Sequence, residues 1–267
     1  MAERAAPETD HRPQLQSVWI LGTPISIVSM GKVIDLLEEW VAGARDHYVV
    51  FRDVHGVMLA RNEPQLRRAH VESDLVAPDG MPLVWAARLA GRKEISRVCG
   101  PDLLLVACER GLSRGWRHYF YGGAPGVAED LERELRNRFP GIDVVGTYSP
   151  PFQSLSAEED DRASAAIRAA HPHFVWVGLG TPKQELWMAE HCGKCGGATL
   201  LGIGGAFDLH AGLVPRAPVW MQSLGLEWCY RLACEPRRLW RRYFTYVPLF
   251  LVLVALELIT RRIGKGR

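Results

Sequence analysis

Chemistry in this chain is concentrated where apolar runs end. In "LVAPDGMPLVW" (75–85) a β-type run delivers Asp79 to the start of a helical pattern, with Gly80 permitting a tight turn. A carboxylate there has two uses. It caps the helix, for which Asp is among the preferred residues, or it acts as a general base that takes a proton from an attacking hydroxyl. In "VGLGTPKQELW" (177–187), Gly178 and Gly180 precede Pro182, and Lys183, Gln184 and Glu185 fill the first helical turn. Free backbone N–H groups at such a helix start suit an anionic or polar ligand. The spacing is neither a Walker loop nor a full G-x-G-x-x-G, so an ordinary strand-to-helix turn explains it equally well. "GGAPG", starting at Gly122, and "GGAFD", ending at Asp208, read the same way: a close approach of backbone to ligand, or tight turns.

No Asp-x-Asp occurs, and the "EEDD" cluster (158–161) sits at a helix start, where carboxylates suit the helix dipole without a metal. Six cysteines are scattered through apolar or helical contexts, and the one Cys-x-x-Cys (Cys192, Cys195) has no second pair at zinc-finger spacing. Neither a metal site nor a cofactor is expected. A site that handles phosphate without a metal needs fixed cations, and the C-terminal arginines are the candidates, because guanidinium pairs with phosphate through a planar fork and stays charged.

The elements that must position these residues alternate from end to end. β-type runs "SVWIL", "HYVVF", "DLVA", "HYFYGG", "IDVVGTY", "HFVWVGLG" and "ATLLGIGG" are separated by helical patterns, among them "MGKVIDLLEEWVAG", "MPLVWAARLAG", "PDLLLVACERG" and "PKQELWMAEHC". This predicts an α/β, Rossmann-like fold: a mainly parallel sheet flanked by helices, followed by a basic helical C-terminal appendage. Ser156 with Glu159 predicts a capping box, and Pro125 a first helical turn. Strand signals cease after about residue 205. The expected organisation is a flexible leader over 1–14, the α/β catalytic domain over 15–215 and an Arg-rich helical appendage over 216–267. In an open parallel sheet the strands' carboxyl ends share one edge. "RDVHG" (52–56), "PDG" (78–80) and the three glycine-rich turns can therefore line one cleft.

The 267 residues, 48% hydrophobic, suffice for a full core, and the net charge is only +2. That charge is unevenly placed: Arg231 to Arg267 holds nine Lys and Arg against two Glu, a net +7, which leaves −5 for residues 1–230. The basic end is directed at something anionic. Within it, Phe244 to Ile259 is an apolar run of sixteen residues, short of the ~20 that cross a bilayer, interrupted by Pro248 and Glu257 and basic at both flanks. A helix lying in the headgroup layer is favoured over one packed on its own or a neighbouring subunit, and both over a span. The polar N-terminus lacks a secretory signal's apolar core. The expected location is the cytoplasm, peripherally on the inner face of the membrane.

The ordered blocks "DVHGVMLARNEPQLRRAHVESDLVAPDGMPLVWAARLAG", "RVCGPDLL", "FYGGAPGVAEDLERELRNRFPGIDVVGTYSPPF", "VWVGLGTPKQELW", "LGIGGAFDLHAGLVPRAPVWMQ" and "GLEWCYRLACEPRRLWRRYF" resemble the WecG/TagA/CpsF glycosyltransferases (glycosyltransferase family 26) over about residues 15–245. The resemblance implies an inverting, metal-independent transferase. It would move a sugar, typically N-acetylmannosamine or its uronic acid, from a UDP donor to a polyprenyl-diphosphate-linked acceptor at the membrane surface. Asp79 matches the family's proposed catalytic base. Gln184 and Asp208 match positions at the nucleotide-sugar cleft, and Arg231, Arg237 and Arg241 match the basic appendage that closes over the diphosphate. From the same blocks Gly80, Arg97, Gly122, Gly180 and Lys183 join the expected binding residues. Where many members carry Thr-x-Asn, this chain has Phe51 and Asp53 in "FRD", so Asp53 is a further candidate and the donor sugar is open. A homo-oligomer is also left open. Rival readings are a nucleotide-sugar-binding protein without transfer and a nicotinamide oxidoreductase, the latter opposed by the missing full G-x-G-x-x-G. Nucleic-acid binding is disfavoured because the basic end is interrupted by an apolar run.

Overall fold

The computed structural model describes residues 15–151, 155–223 and 225–260. The 1–14 leader and the basic tail over 261–267 lie outside the described residues. The chain opens with β1 (Ser17–Ile20) and β2 (Thr23–Ser26), then α1 (Met30–Gly43) and β3 (His47–Arg52). β1 and β2 form an antiparallel hairpin whose two turn residues, Leu21 and Gly22, have φ of 49° and 82°. Positive φ at both positions matches the right-handed twist of the flanking strands. In α1 the Ser29 side chain accepts from Lys32 N–H, and Val33, Ile34, Leu36, Leu37 and Trp40 make the buried face.

Two helices absent from the sequence reading follow: α2 (Val54–Asn62) and α3 (Pro64–Glu72). Each is only nine residues long and carries a weak apolar stripe, and their start signals, an Asp53 cap and Pro64 at N1, look like loop chemistry. Next come β4 (Leu75–Pro78), α4 (Met81–Leu89), α5 (Gly100–Leu112), β5 (Arg117–Gly122), α6 (Val127–Arg138), β6 (Asp143–Tyr148), α7 (Ala157–Ala170), β7 (Phe174–Gly178), α8 (Lys183–His191) and β8 (Thr199–Gly202). Ser156 and Glu159 form the expected reciprocal capping box. Pro125 instead precedes α6, whose N-cap is Gly126 at φ 88°; a left-handed cap suits glycine, so the helix starts two residues later than expected.

Among the described residues, six strands form one parallel sheet in the order β4-β3-β8-β7-β5-β6, which is the expected α/β architecture. β3, β4 and β8 are buried along their whole length and read as largely apolar runs. One core lies on the α1/α5/α6 face around Phe120, Phe174 and Trp176, and the other around Val50, Tyr121, Val177 and Met188. All six strands end at one edge, at Arg52, Pro78, Gly122, Tyr148, Gly178 and Gly202. The connection after β5 leads outward to β6 and that after β7 leads the other way to β8, so a crevice opens between their carboxyl ends.

After β8 the chain is helical: α9 (Ala206–His210), α10 (Val219–Ser223), α11 (Glu227–Cys234) and α12 (Pro236–Ile259). α12 corrects the length argument drawn from the sequence. Helix continues through Pro248, and Leu239–Ile259, 21 residues with mean hydropathy 1.7, is long and apolar enough to cross a membrane by length and composition. One stripe of it packs on the protein, with 12% of that apolar window buried. Phe250 and Val254 are buried in the second core, and the ring of Tyr246 meets His55 edge-on at 5.3 Å. Glu257, which interrupts the apolar run in the sequence, accepts the Leu21 N–H at 3.0 Å. Phe244, Leu249, Leu251, Val252, Leu256 and Ile259 face outward, exposed.

Candidate active site

The end of β4 carries Asp79, and three backbone contacts fix it there. Asp79 N–H donates to the Arg52 carbonyl at 2.8 Å and Gly80 N–H to the same oxygen at 3.3 Å, which ties the end of β4 to that of β3. Val98 N–H donates to the Pro78 carbonyl at 2.9 Å, laying the segment before α5 alongside. Arg97 is thereby brought against Asp79: its Nε donates to the Asp79 carbonyl at 2.6 Å, and its Nη2 stands 3.6 Å from the Asp79 carboxylate.

The capping reading of Asp79 does not hold. The N-cap of α4 is Gly80, with no side-chain cap hydrogen bond. The carboxylate that does cap a helix is Asp53, whose Oδ1 accepts Gly56 N–H at 2.8 Å at the start of α2. The Asp79 carboxylate caps no helix and lies within ion-pair distance of Arg97, and its pKa is raised to about 6. Burial among protein atoms is the largest cause; Arg97 and Arg231 oppose it, while Asp53 and Glu227 add to it. Yet 31% of the side chain remains open to solvent, so a substrate can reach it. A carboxyl half-ionised near pH 6 is a competent general base at neutral pH.

The third layer comes from α11. Glu227 accepts from Arg97 Nη2 at 2.7 Å, and Arg231 Nε lies 3.9 Å from the other Glu227 oxygen. A chain of alternating charge, Asp79, Arg97, Glu227, Arg231, thus joins the sheet edge to the C-terminal helices. Arg237 and Arg241 are exposed near the start of α12, Arg241 with its guanidinium 5.4 Å from the Trp240 ring centre. Below Arg97, Asp102 accepts from the Cys99 thiol at 2.8 Å and pairs with Arg216.

Along the edge toward β5 the expected residues divide. Gly122 has φ 128°, and a Cβ there would lie 2.6 Å from the Gly178 carbonyl carbon, so glycine is required at the β5/β7 crevice. Gly180, at φ 75°, turns the chain into α8, where Lys183 is exposed at the first position. Gln184 is turned inward: its Nε2 donates to the Gly202 carbonyl at 2.8 Å and its Oε1 accepts Gly180 N–H at 3.2 Å, so the amide clamps β7 to β8. Asp208 is half-buried in α9. The structure therefore gathers Asp53, Asp79, Gly80, Arg97 and Arg231 at one end of the edge, and Gly122, Gly180 and Gln184 around its middle.

Three participants escaped the sequence reading. Arg52 and Glu185 form an ion pair with both side chains essentially fully buried, and Glu185 also accepts from Thr181 and Gln184, each at 3.0 Å. Glu185 is visible in "PKQE", but an acid in a first helical turn has the helix dipole as sufficient reason. Glu227 lies in "GLEWCYRL", 130 positions from Arg97, and no local pattern joins them.

Comparison with known proteins gives two findings. The model of the glycosyl transferase WecG/TagA/CpsF family matches residues 18–264. An N-acetylglucosaminyldiphosphoundecaprenol N-acetyl-β-D-mannosaminyltransferase of Bacillus spizizenii is 35% identical over 196 residues, 73% of each chain.

Proposed function

The chain belongs to the WecG/TagA/CpsF family and is a glycosyltransferase, and from that premise we propose that it transfers an N-acetylmannosamine-type sugar, with inversion and without a metal, from a UDP donor to a polyprenyl-diphosphate-linked acceptor at a membrane surface. The observation that carries the reading is Asp79: a carboxyl raised to about 6, solvent-reachable, released from capping and flanked by Arg97 and Arg231. The relative's acceptor, a sugar on diphosphoundecaprenol, supports the acceptor class.

In the reaction the acceptor hydroxyl gives its proton to Asp79 as its oxygen bonds to the donor's anomeric carbon. The bond from that carbon to the diphosphate oxygen breaks, and UDP departs with the electron pair. One displacement inverts the anomeric configuration. Arg97 and Arg231 supply the positive charge that the departing diphosphate requires, and fixed guanidinium groups cost little reorganisation as charge develops. Asp53 stands beside the base where many members have Asn, so it bears on sugar choice. The exposed apolar stripe of α12 faces lipid, with its opposite stripe held on the protein by Phe250, Val254 and Glu257.

The decisive experiment is Asp79→Asn with purified protein, a lipid-linked acceptor and a panel of UDP-sugars. UDP binding within about twofold and turnover down by 10²-fold or more are expected, the range a general base supplies. Turnover within tenfold of the parent removes Asp79 as base.

A further inference from the structure

We infer that Glu227 is a positioning residue for Asp79: by drawing the Arg97 guanidinium to itself, it keeps that cation from closing on the base. The inference rests on the reading of Asp79 as base. Arg97 has two carboxylates in reach and does not share itself equally. Its Nη2 lies 2.7 Å from Glu227 and 3.6 Å from Asp79, while its Nε is committed to the Asp79 backbone carbonyl. A base in close contact with an arginine is a weak one, because the cation stabilises the ionised form and opposes proton uptake. The same arginine moved about 1 Å away still offers charge to a departing phosphate and leaves the carboxylate its proton affinity.

Glu227 does this from α11, so the device exists only when the C-terminal helices are seated on the sheet edge. The charged and titratable groups that face Asp79 are Asp53 at the α2 cap, Arg97 and Cys99 ahead of α5, and Glu227 and Arg231 on α11. Among them Glu227 is the one acid contributed by the appendage, and it acts twice: as a like charge near Asp79 and as the competitor for Arg97. Both effects raise the proton affinity of Asp79.

The test is a titration of the Asp79 carboxyl carbon by NMR in full-length protein labelled with 13C-aspartate, the signal identified by its loss in Asp79→Asn. Glu227→Gln keeps the shape of the side chain and removes its charge. The Asp79 midpoint should fall by roughly 0.5–1 unit, as one like charge removed at this range predicts. Turnover at pH 8 should fall roughly two- to threefold as the base weakens, with the acid limb of the rate profile displaced to lower pH. Glu227→Asp, which keeps the charge, should restore most of the midpoint, and Glu227→Ala offers the same titration should the amide variant not fold. A midpoint that stays put or rises on removing the charge overturns the inference, as does Glu227→Asp shifting it as far as Glu227→Gln. The titration reads Asp79 directly, so its outcome is separate from whether Asp79→Asn abolishes transfer.

Discussion

The Arg52 carbonyl accepts the N–H of Asp79 at 2.8 Å while the Arg52 guanidinium is buried in an ion pair with Glu185. One residue at the end of β3 therefore fixes the backbone of the candidate base and, through its side chain, the first turn of α8. The candidate base stands where two neighbouring parallel strands end together.

The raised pKa of Asp79 predicts that its ionised form costs the folded protein stability. Its folded pKa, about 6, lies above the ordinary 3.8, so the native state binds more protons than the unfolded one between those values and stability falls as pH rises through them. Asp79→Asn should accordingly raise the unfolding free energy at pH 7 by on the order of 1–2 kcal/mol, the formal linkage discounted for solvent access. The gain should vanish at pH 3.5. Urea titrations at the two pH values check it, and an equal gain at both would contradict the assignment.

The rate profile carries the same group. With Asp79 as the proposed base, transfer requires it ionised, so turnover should fall tenfold per pH unit below an apparent pKa of about 6. An acid limb near 4 would mean that the enzyme's base is some other, unperturbed carboxylate.

Removing Glu185 leaves the Arg52 guanidinium, 1% exposed, without its counter-charge. Glu185→Ala should destabilise by about 3–5 kcal/mol. Chemical denaturation measures this, and a loss below 1 kcal/mol would show that the pair is dispensable.

Gly122→Ala places a methyl against the Gly178 backbone at a φ of 128°. A cost of about 2–4 kcal/mol is expected, with donor binding weakened because the crevice between β5 and β7 must spread. A variant of parent stability and affinity would show that the two strand ends part freely.

Truncation after Tyr243 is a poor test of membrane docking, because Phe250 and Val254 belong to the core. Leu251→Glu with Val252→Glu alters only exposed positions. Sedimentation with anionic vesicles should show binding reduced tenfold or more, while the melting temperature and UDP binding stay within error. Undiminished vesicle binding would place the lipid contact elsewhere.

The sequence by itself determined the α/β alternation, the parallel sheet and the position of Asp79 at a strand end, because apolar periodicity and glycine-rich turns are local signals and the two faces of a covered sheet must both be apolar. It could not say which of two aspartates caps a helix: Asp53 and Asp79 have the same local look, and only the angle at which each chain leaves the sheet decides. Nor could it read α12, since an apolar helix that spans, lies flat or packs has one composition. The buried stripe and the bond from Glu257 to Leu21 exist only once the β1–β2 hairpin is in place. The same holds for Arg52 with Glu185 and Arg97 with Glu227. Ion pairs form between residues that the topology brings together across 133 and 130 positions, and Coulomb attraction depends on distance in space, which spacing along the chain does not encode.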